Sequence, residues 1–147
     1  MSDLLLTHGY FLAEDEKERA IMKPYPPLGL LSISAYLKRA GFGVEIYDST
    51  FGSKSELAAK LANAPPVIGV YTNLMTRSAV LEIIATARHF ERKVILGGPE
   101  SAGYAAEYLV AGADVVVIGE GEAALAELLP SIAKSGVHGL HAIPGIV

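Results

Sequence analysis

Val94-Ile95-Leu96-Gly97-Gly98-Pro99-Glu100 and Val115-Val116-Val117-Ile118-Gly119-Glu120-Gly121-Glu122 decide how this chain folds. Each is a short run of strand formers stopped by a glycine-acid turn, and each turn gives way to a helical pattern. A strand that ends in glycine and feeds a helix is the repeating joint of an open parallel sheet. In such sheets ligands bind in the crevice outside the carboxyl ends of the strands, where glycine lets a flat group come close to the backbone. The same joints that predict the fold therefore predict a site.

Working outward, strand signals recur at Leu4 to Thr7, Val44 to Tyr47 and Val67 to Tyr71, as β-branched or leucine runs suited to strands buried on both faces. Helical stretches lie between and after the strands, at Leu28 to Ala40, Ser55 to Asn63, Arg77 to Phe90, Tyr104 to Ala111 and Ala123 to Lys134. Gly41 and Gly112 follow two of these helices and Ser53 stands where it can cap another. The alternation reads as five βα units. Right-handed crossovers then give an α/β fold: a doubly wound, flavodoxin-like (Rossmann-type) parallel five-stranded sheet in the order 2-1-3-4-5, with helices on both faces. Residues 1–147 are expected to form a single domain. The connection over residues 8–27 is long for a βα unit and is expected to be functional. Its charge run from Glu14 to Arg19 reads as a solvated turn or short helix. Residues 137–147, punctuated by Gly139, Pro144 and Gly145, read as the start of a linker to a further domain.

Composition narrows the function. The chain has 147 residues, 51% hydrophobic and 19% charged, with a net charge of −4. That balance argues against disorder and against an electrostatic hold on nucleic acid. No apolar run reaches the 18 or so residues of a membrane span, and Asp3 stands where a secretion signal carries basic residues, so a cytoplasmic protein is expected. Cysteine is absent, which excludes disulfides, a thiol nucleophile and a cysteine-held iron-sulfur cluster within this chain.

The carboxyl edge holds the chemistry. In Thr72-Asn73-Leu74-Met75-Thr76 two large apolar residues sit between polar neighbours, which suits a broad hydrophobic ligand face; the alternative is that Leu74 and Met75 fold back on the core. Gly119-x-Gly121-x-x-Ala124 matches the dinucleotide fingerprint, but that motif belongs after the first strand, and Glu120 and Glu122 would repel a pyrophosphate. Glu122 is placed to complement a helix dipole, whereas Glu120, between two glycines, is placed to hydrogen-bond a ligand. Asp48 ends the second strand, as a ribose-binding acid or as a turn former. The histidines at 8, 89, 138 and 141 make no metal spacing.

In combination, Tyr25-Pro26-Pro27-Leu28-Gly29-Leu30-Leu31, Gly41-Phe42-Gly43-Val44 through Asp48, and the two glycine-acid turns resemble the N-terminal cobalamin-binding domain of cobalamin-dependent radical S-adenosylmethionine (SAM) enzymes. The resemblance covers nearly the whole chain. It implies that cobalamin lies across the carboxyl edge with its nucleotide tail between the fourth and fifth strands. Gly97, Gly98, Pro99 and Glu100 would flank the tail on one side, and Gly119, Glu120, Gly121 and Glu122 on the other. Leu74 and Met75 would lie under the corrin, while Thr72, Asn73 and Thr76 hydrogen-bond its amides. The mutase type of cobalamin domain supplies a cobalt-ligating histidine from an Asp-x-His-x-x-Gly motif. Here Leu6-Thr7-His8-Gly9 stands in that place and does not match it.

The resemblance also implies a C-terminal radical SAM domain carrying SAM and a 4Fe-4S cluster on a Cys-x-x-x-Cys-x-x-Cys motif that this chain lacks. The expectation is therefore a cobalamin-binding module, non-catalytic alone, of an enzyme that performs methyl transfer or a rearrangement. The alternatives are a stand-alone flavodoxin-like binding or regulatory module that does not use cobalamin, and a phospho-acceptor receiver domain. The receiver needs an acid ending the third strand and a lysine ending the fifth, where Tyr71-Thr72 and Gly119 stand.

Overall fold

A computed structural model describes residues 2–138, 140 and 143–147. Five parallel strands, β1 (Leu4–His8), β2 (Val44–Tyr47), β3 (Val67–Tyr71), β4 (Lys93–Gly97) and β5 (Val115–Val116), form one sheet in the order β2-β1-β3-β4-β5. The flavodoxin-like order expected from the sequence is thus the order observed. The helices are α1 (Glu16–Ile21), α2 (Leu28–Arg39), α3 (Lys54–Ala62), α4 (Arg77–His89), α5 (Ala105–Ala111) and α6 (Gly121–Ser135).

Strand alternation divides the core in two. Leu5, Ile68, Val70, Val94, Leu96 and Val116 pack beneath α3, α4 and α5, while Leu4, Leu6, Val67, Ile95, Val115 and Val117 pack beneath α2 and α6. Residues two apart on a strand share a face, so each strand feeds both layers, and the apolar runs of the sequence follow from burial on both sides. The local signals hold as read. Ser53 Oγ accepts from the Glu56 amide at 3.1 Å to cap α3, and Gly112 closes α5 in a left-handed conformation (φ 118°).

Two details differ from expectation. First, β5 was expected to run to Ile118 but pairs with β4 only over Val115–Val116, after which Val117 bridges antiparallel to Ile146. The amides of Val116 and Ile118 donate to the carbonyls of Val147 and Gly145 at 2.9 and 2.7 Å, so the segment after α6 returns along the outer edge of β5. Covering an edge strand in this way satisfies its free amides. Second, α6 begins at Gly121 and not at Ala123, which puts Gly121 and Glu122 inside its first turn. The long connection of residues 8–27 holds a 3₁₀ turn at Leu12–Glu14 and then α1, which Asp15 caps through its side chain and which buries no residue. That matches the solvated short helix expected of the charge run. Gly139 and His141, singled out in the sequence, lie outside the described residues. Among the described residues no helix is long and apolar enough to cross a membrane.

Candidate functional site

A cleft of about 220 Å³ opens at the carboxyl end of the sheet on the α2/α6 side. Its floor is Leu6 of β1, Gly69 and Tyr71 of β3, and Ile95 and Gly97 of β4, with Val117 beyond β5. Register explains the floor: Leu6 pairs with Gly69 and Gly69 with Ile95, and one row further on Tyr71 pairs with Gly97. Gly29, Leu30 and Ile33 of α2 form one wall, and Gly121, Glu122 and Leu125 of α6 the other. Both glycine turns reach it, through Gly97 and Gly98 on one side and Gly119 and Glu120 on the other.

The turns are glycine for structural reasons. Gly98 has φ 127°, and a Cβ there would stand 2.2 Å from the carbonyl oxygen of Thr72. The turn after β4 is thus pressed onto the backbone of the β3–α4 loop, with the Thr72 amide donating to the Gly97 carbonyl at 2.8 Å. Gly119 has φ 84°, which turns the chain from β5 into α6. A side chain joins the two turns: Ser101, fully buried, places its Oγ 2.8 Å from the Gly98 carbonyl and 3.1 Å from that of Val117.

The loop Thr72 to Thr76 splits into two roles. Leu74 and Met75 are 70% and 85% exposed, so they do not fold back on the core and instead stand as an apolar shelf at the carboxyl edge. The polar members face inward. Thr72 is fully buried with its hydroxyl 2.9 Å from that of Tyr108, and Asn73 and Thr76 cap each other reciprocally in a 3₁₀ turn. The hydroxyls expected to reach a ligand from Thr72 and Thr76 are therefore engaged within the protein, and these residues hold the shelf up. Glu100 is likewise turned to structure. Arg77 at the start of α4 donates to it, and the Arg77 guanidinium stacks 3.6 Å over the Tyr104 ring, tying the β3–α4 loop to the β4–α5 loop. Pro99 is exposed and does not line the cleft, Glu120 is exposed and lines it, and Glu122 accepts from Ser32 Oγ at 3.1 Å within the first turn of α6.

A glycine-lined crevice above the switch of a flavodoxin-like sheet agrees with the sequence comparison, in which the family model of the B12 binding domain matches residues 20–129. The chain belongs to the B12-binding domain family. Among curated proteins no match was found. The residues fit cobalamin (B12). A Cβ at Gly119 would meet no protein atom within 4 Å, and one at Gly97 would meet only Val117 Cβ at 4.0 Å, so the turns leave room that side chains would fill. In the loop after β3, at the same carboxyl edge, Leu74 and Met75 offer an exposed apolar surface for a macrocycle.

In this B12-binding domain two residues considered singly in the sequence are brought together. His8 Nε2 donates to Asp48 Oδ1 at 2.7 Å, while His8 Nδ1 accepts from the Tyr10 amide at 3.1 Å. Both ring nitrogens are engaged, and the accepting Nδ1 fixes the proton on Nε2. Burial works against the charged form of Asp48, but hydrogen bonds from Thr50 and then His8 outweigh it and hold its carboxyl below the ordinary range. Asp48 also accepts from the Thr50 amide at 3.1 Å, the turn-forming role. No cluster of three or more His, Cys, Asp or Glu among the described residues could hold a metal ion.

Of the floor, Gly97 alone was expected as a site residue from the sequence; Leu6, Gly69, Tyr71, Ile95 and the α2 wall were not. Gly69 carried the available signal, an isolated glycine inside the run Val67 to Tyr71, since a glycine within a strand marks a close approach. A Cβ at Gly69 would stand 2.7 Å from Leu6 Cδ2, so the glycine lets Leu6 lie flat across the floor.

Proposed function

We propose that this chain is the cobalamin-binding module of a radical SAM enzyme and takes the nucleotide tail of cobalamin in the cleft between its two glycine turns. The observation that carries the first half is that cleft, floored by Gly69 and Gly97, at the same carboxyl edge of the sheet that carries the exposed Leu74 and Met75. Gly97, Gly98, Gly119 and Gly121 give the tail backbone-close walls, Glu120 stands beside it, Pro99 lies on the exposed turn after Gly98, and Asn73, Leu74 and Met75 face the corrin. Bound cobalamin would supply a cobalt centre for methyl transfer or rearrangement. The residues of this chain bind and orient it. Glu100 and Glu122 act from behind, through Arg77 and Ser32.

The radical SAM half rests on the sequence resemblance. With no cysteine in the chain, SAM and a 4Fe-4S cluster would be held by a partner domain. The purified chain mixed with hydroxocobalamin and freed of unbound ligand by gel filtration is expected to retain a roughly stoichiometric corrin spectrum. A colourless peak of folded protein would overturn the binding half. A companion catalytic segment without a Cys-x-x-x-Cys-x-x-Cys motif would overturn the radical SAM half alone.

A further inference from the structure

The loop that carries the apolar shelf is tied at both ends to the turn that lines the cleft. At its start the Thr72 amide donates to the Gly97 carbonyl at 2.8 Å, the Thr72 carbonyl lies against Gly98, and the Thr72 hydroxyl stands 2.9 Å from that of Tyr108 in α5. At its end Arg77 donates to Glu100 and lays its guanidinium 3.6 Å over the Tyr104 ring. Between these ends Leu74 and Met75 stand out into solvent, supported within the loop by the reciprocal cap of Asn73 and Thr76. Glu100 follows Gly98 by two residues, and the residue between them is Pro99, whose ring fixes φ. The position of Glu100 is therefore coupled to that of Gly98, as the position of Arg77 is to that of Met75. The pair is also largely shut from water. The Glu100 side chain is 11% exposed, and Arg77 Nε and Glu100 Oε2 are buried without a partner among the described residues. Opening the pair would leave a buried charge uncompensated, which favours the closed arrangement.

Cobalamin offers this chain two parts, a corrin and a tethered tail. Once the corrin rests on the shelf, the tail meets the cleft at an effective concentration set by the distance and direction between the two sites. The geometry points to Arg77 and Glu100 as positioning residues: their ion pair, stacked on Tyr104, holds the corrin shelf and the tail turn as one body, and so converts insertion of the tail into added affinity. Neither residue lines the cleft, so both act through the backbone they hold. The inference rests on the reading that the corrin lies on the shelf and the tail enters the cleft.

The test titrates the purified chain with cobalamin and with tail-less cobinamide, both in the same oxidation state, and reads the ratio of the two affinities from the visible spectrum. The variant combines Arg77→Met with Glu100→Met, because an apolar pair of similar volume replaces a buried ion pair at little cost to folding. In the folded double variant the advantage of cobalamin over cobinamide is expected to fall at least about fivefold, part of the roughly 10²–10⁴ that tethering supplies. The spectrum gives a second readout: a base inserted in the cleft is off the cobalt, so cobalamin bound to the variant is expected to shift toward its base-on bands. A merely structural role would lower the melting temperature and both affinities alike, leaving the ratio and the bands where they were, and that result overturns the inference. Glu100→Gln, which keeps the shape and an acceptor and loses the charge, serves if the double variant does not fold. Its ratio is expected to fall in the same direction, and an unchanged ratio in folded Glu100→Gln protein equally overturns the inference. If the wild-type chain binds cobinamide as tightly as cobalamin, the tail is not in the cleft, and the reading falls together with the inference.

Discussion

Gly97→Val separates the fold from the binding site. Gly97 ends β4 with a backbone conformation open to any residue, and the nearest atom to an added Cβ is Val117 Cβ at 4.0 Å, ordinary van der Waals contact. The apo protein therefore tolerates the change, and replacing glycine in a strand gains stability of about 0.5–1 kcal/mol in the alanine case. Those methyl groups occupy the cleft floor beside Tyr71 and Val117, where the tail is proposed to lie. Overfilling a packed site costs about 1–3 kcal/mol. As a binding penalty this is a loss of roughly 5- to 150-fold. The assay pairs a thermal melt of the apo protein with a spectral titration by hydroxocobalamin. The expected result is an unchanged or raised Tm with affinity reduced by that factor. Wild-type affinity at an unchanged Tm would refute the placement of the tail over Gly97. A collapsed Tm would refute the account of the space around it.

Three further outcomes follow from the geometry. Gly98→Ala, one residue on, is expected to damage the fold itself, because its Cβ meets the Thr72 carbonyl at 2.2 Å and φ is 127°; backbone strain alone costs about 1–3 kcal/mol, read as a Tm lower by several degrees. Ser101→Ala removes the side chain that bridges the Gly98 and Val117 carbonyls, and about 1–3 kcal/mol of stability in chemical denaturation should go with it; a loss below about 0.5 kcal/mol would mean that water or relaxation replaces the bridge. Asp48, held below its ordinary value, contributes stability that is present above the unfolded-state value of about 3.9 and is lost as pH falls through the lower folded value. The stability gap between wild type and Asp48→Asn is therefore expected to close as pH falls below about 4; a gap that persists undiminished well below that pH would contradict the account of Asp48.

Sequence alone determined the five βα units, the parallel order and the two glycine turns, because those depend on local pattern: short continuous runs of strand formers, helical stretches, and glycine where the fourth and fifth strands stop. It also placed Leu74 and Met75 at the edge, though not which way they faced. The tertiary structure decided what the turns were for. Leu6, Gly69 and Ile95 become one floor only through strand register, Ile33 and Leu125 become facing walls only when α2 and α6 lie on the same side of the sheet, and Ser101 becomes a bridge only once β4 and β5 are neighbours. The inward turn of Thr72 and Thr76 was likewise invisible, since a hydroxyl in a polar loop reads the same whether it meets a ligand or Tyr108. Local pattern fixes elements because their hydrogen bonds and burial close within a few residues or along one strand. A cleft is made by residues up to about 120 positions apart, from Leu6 to Leu125, and only packing brings them together.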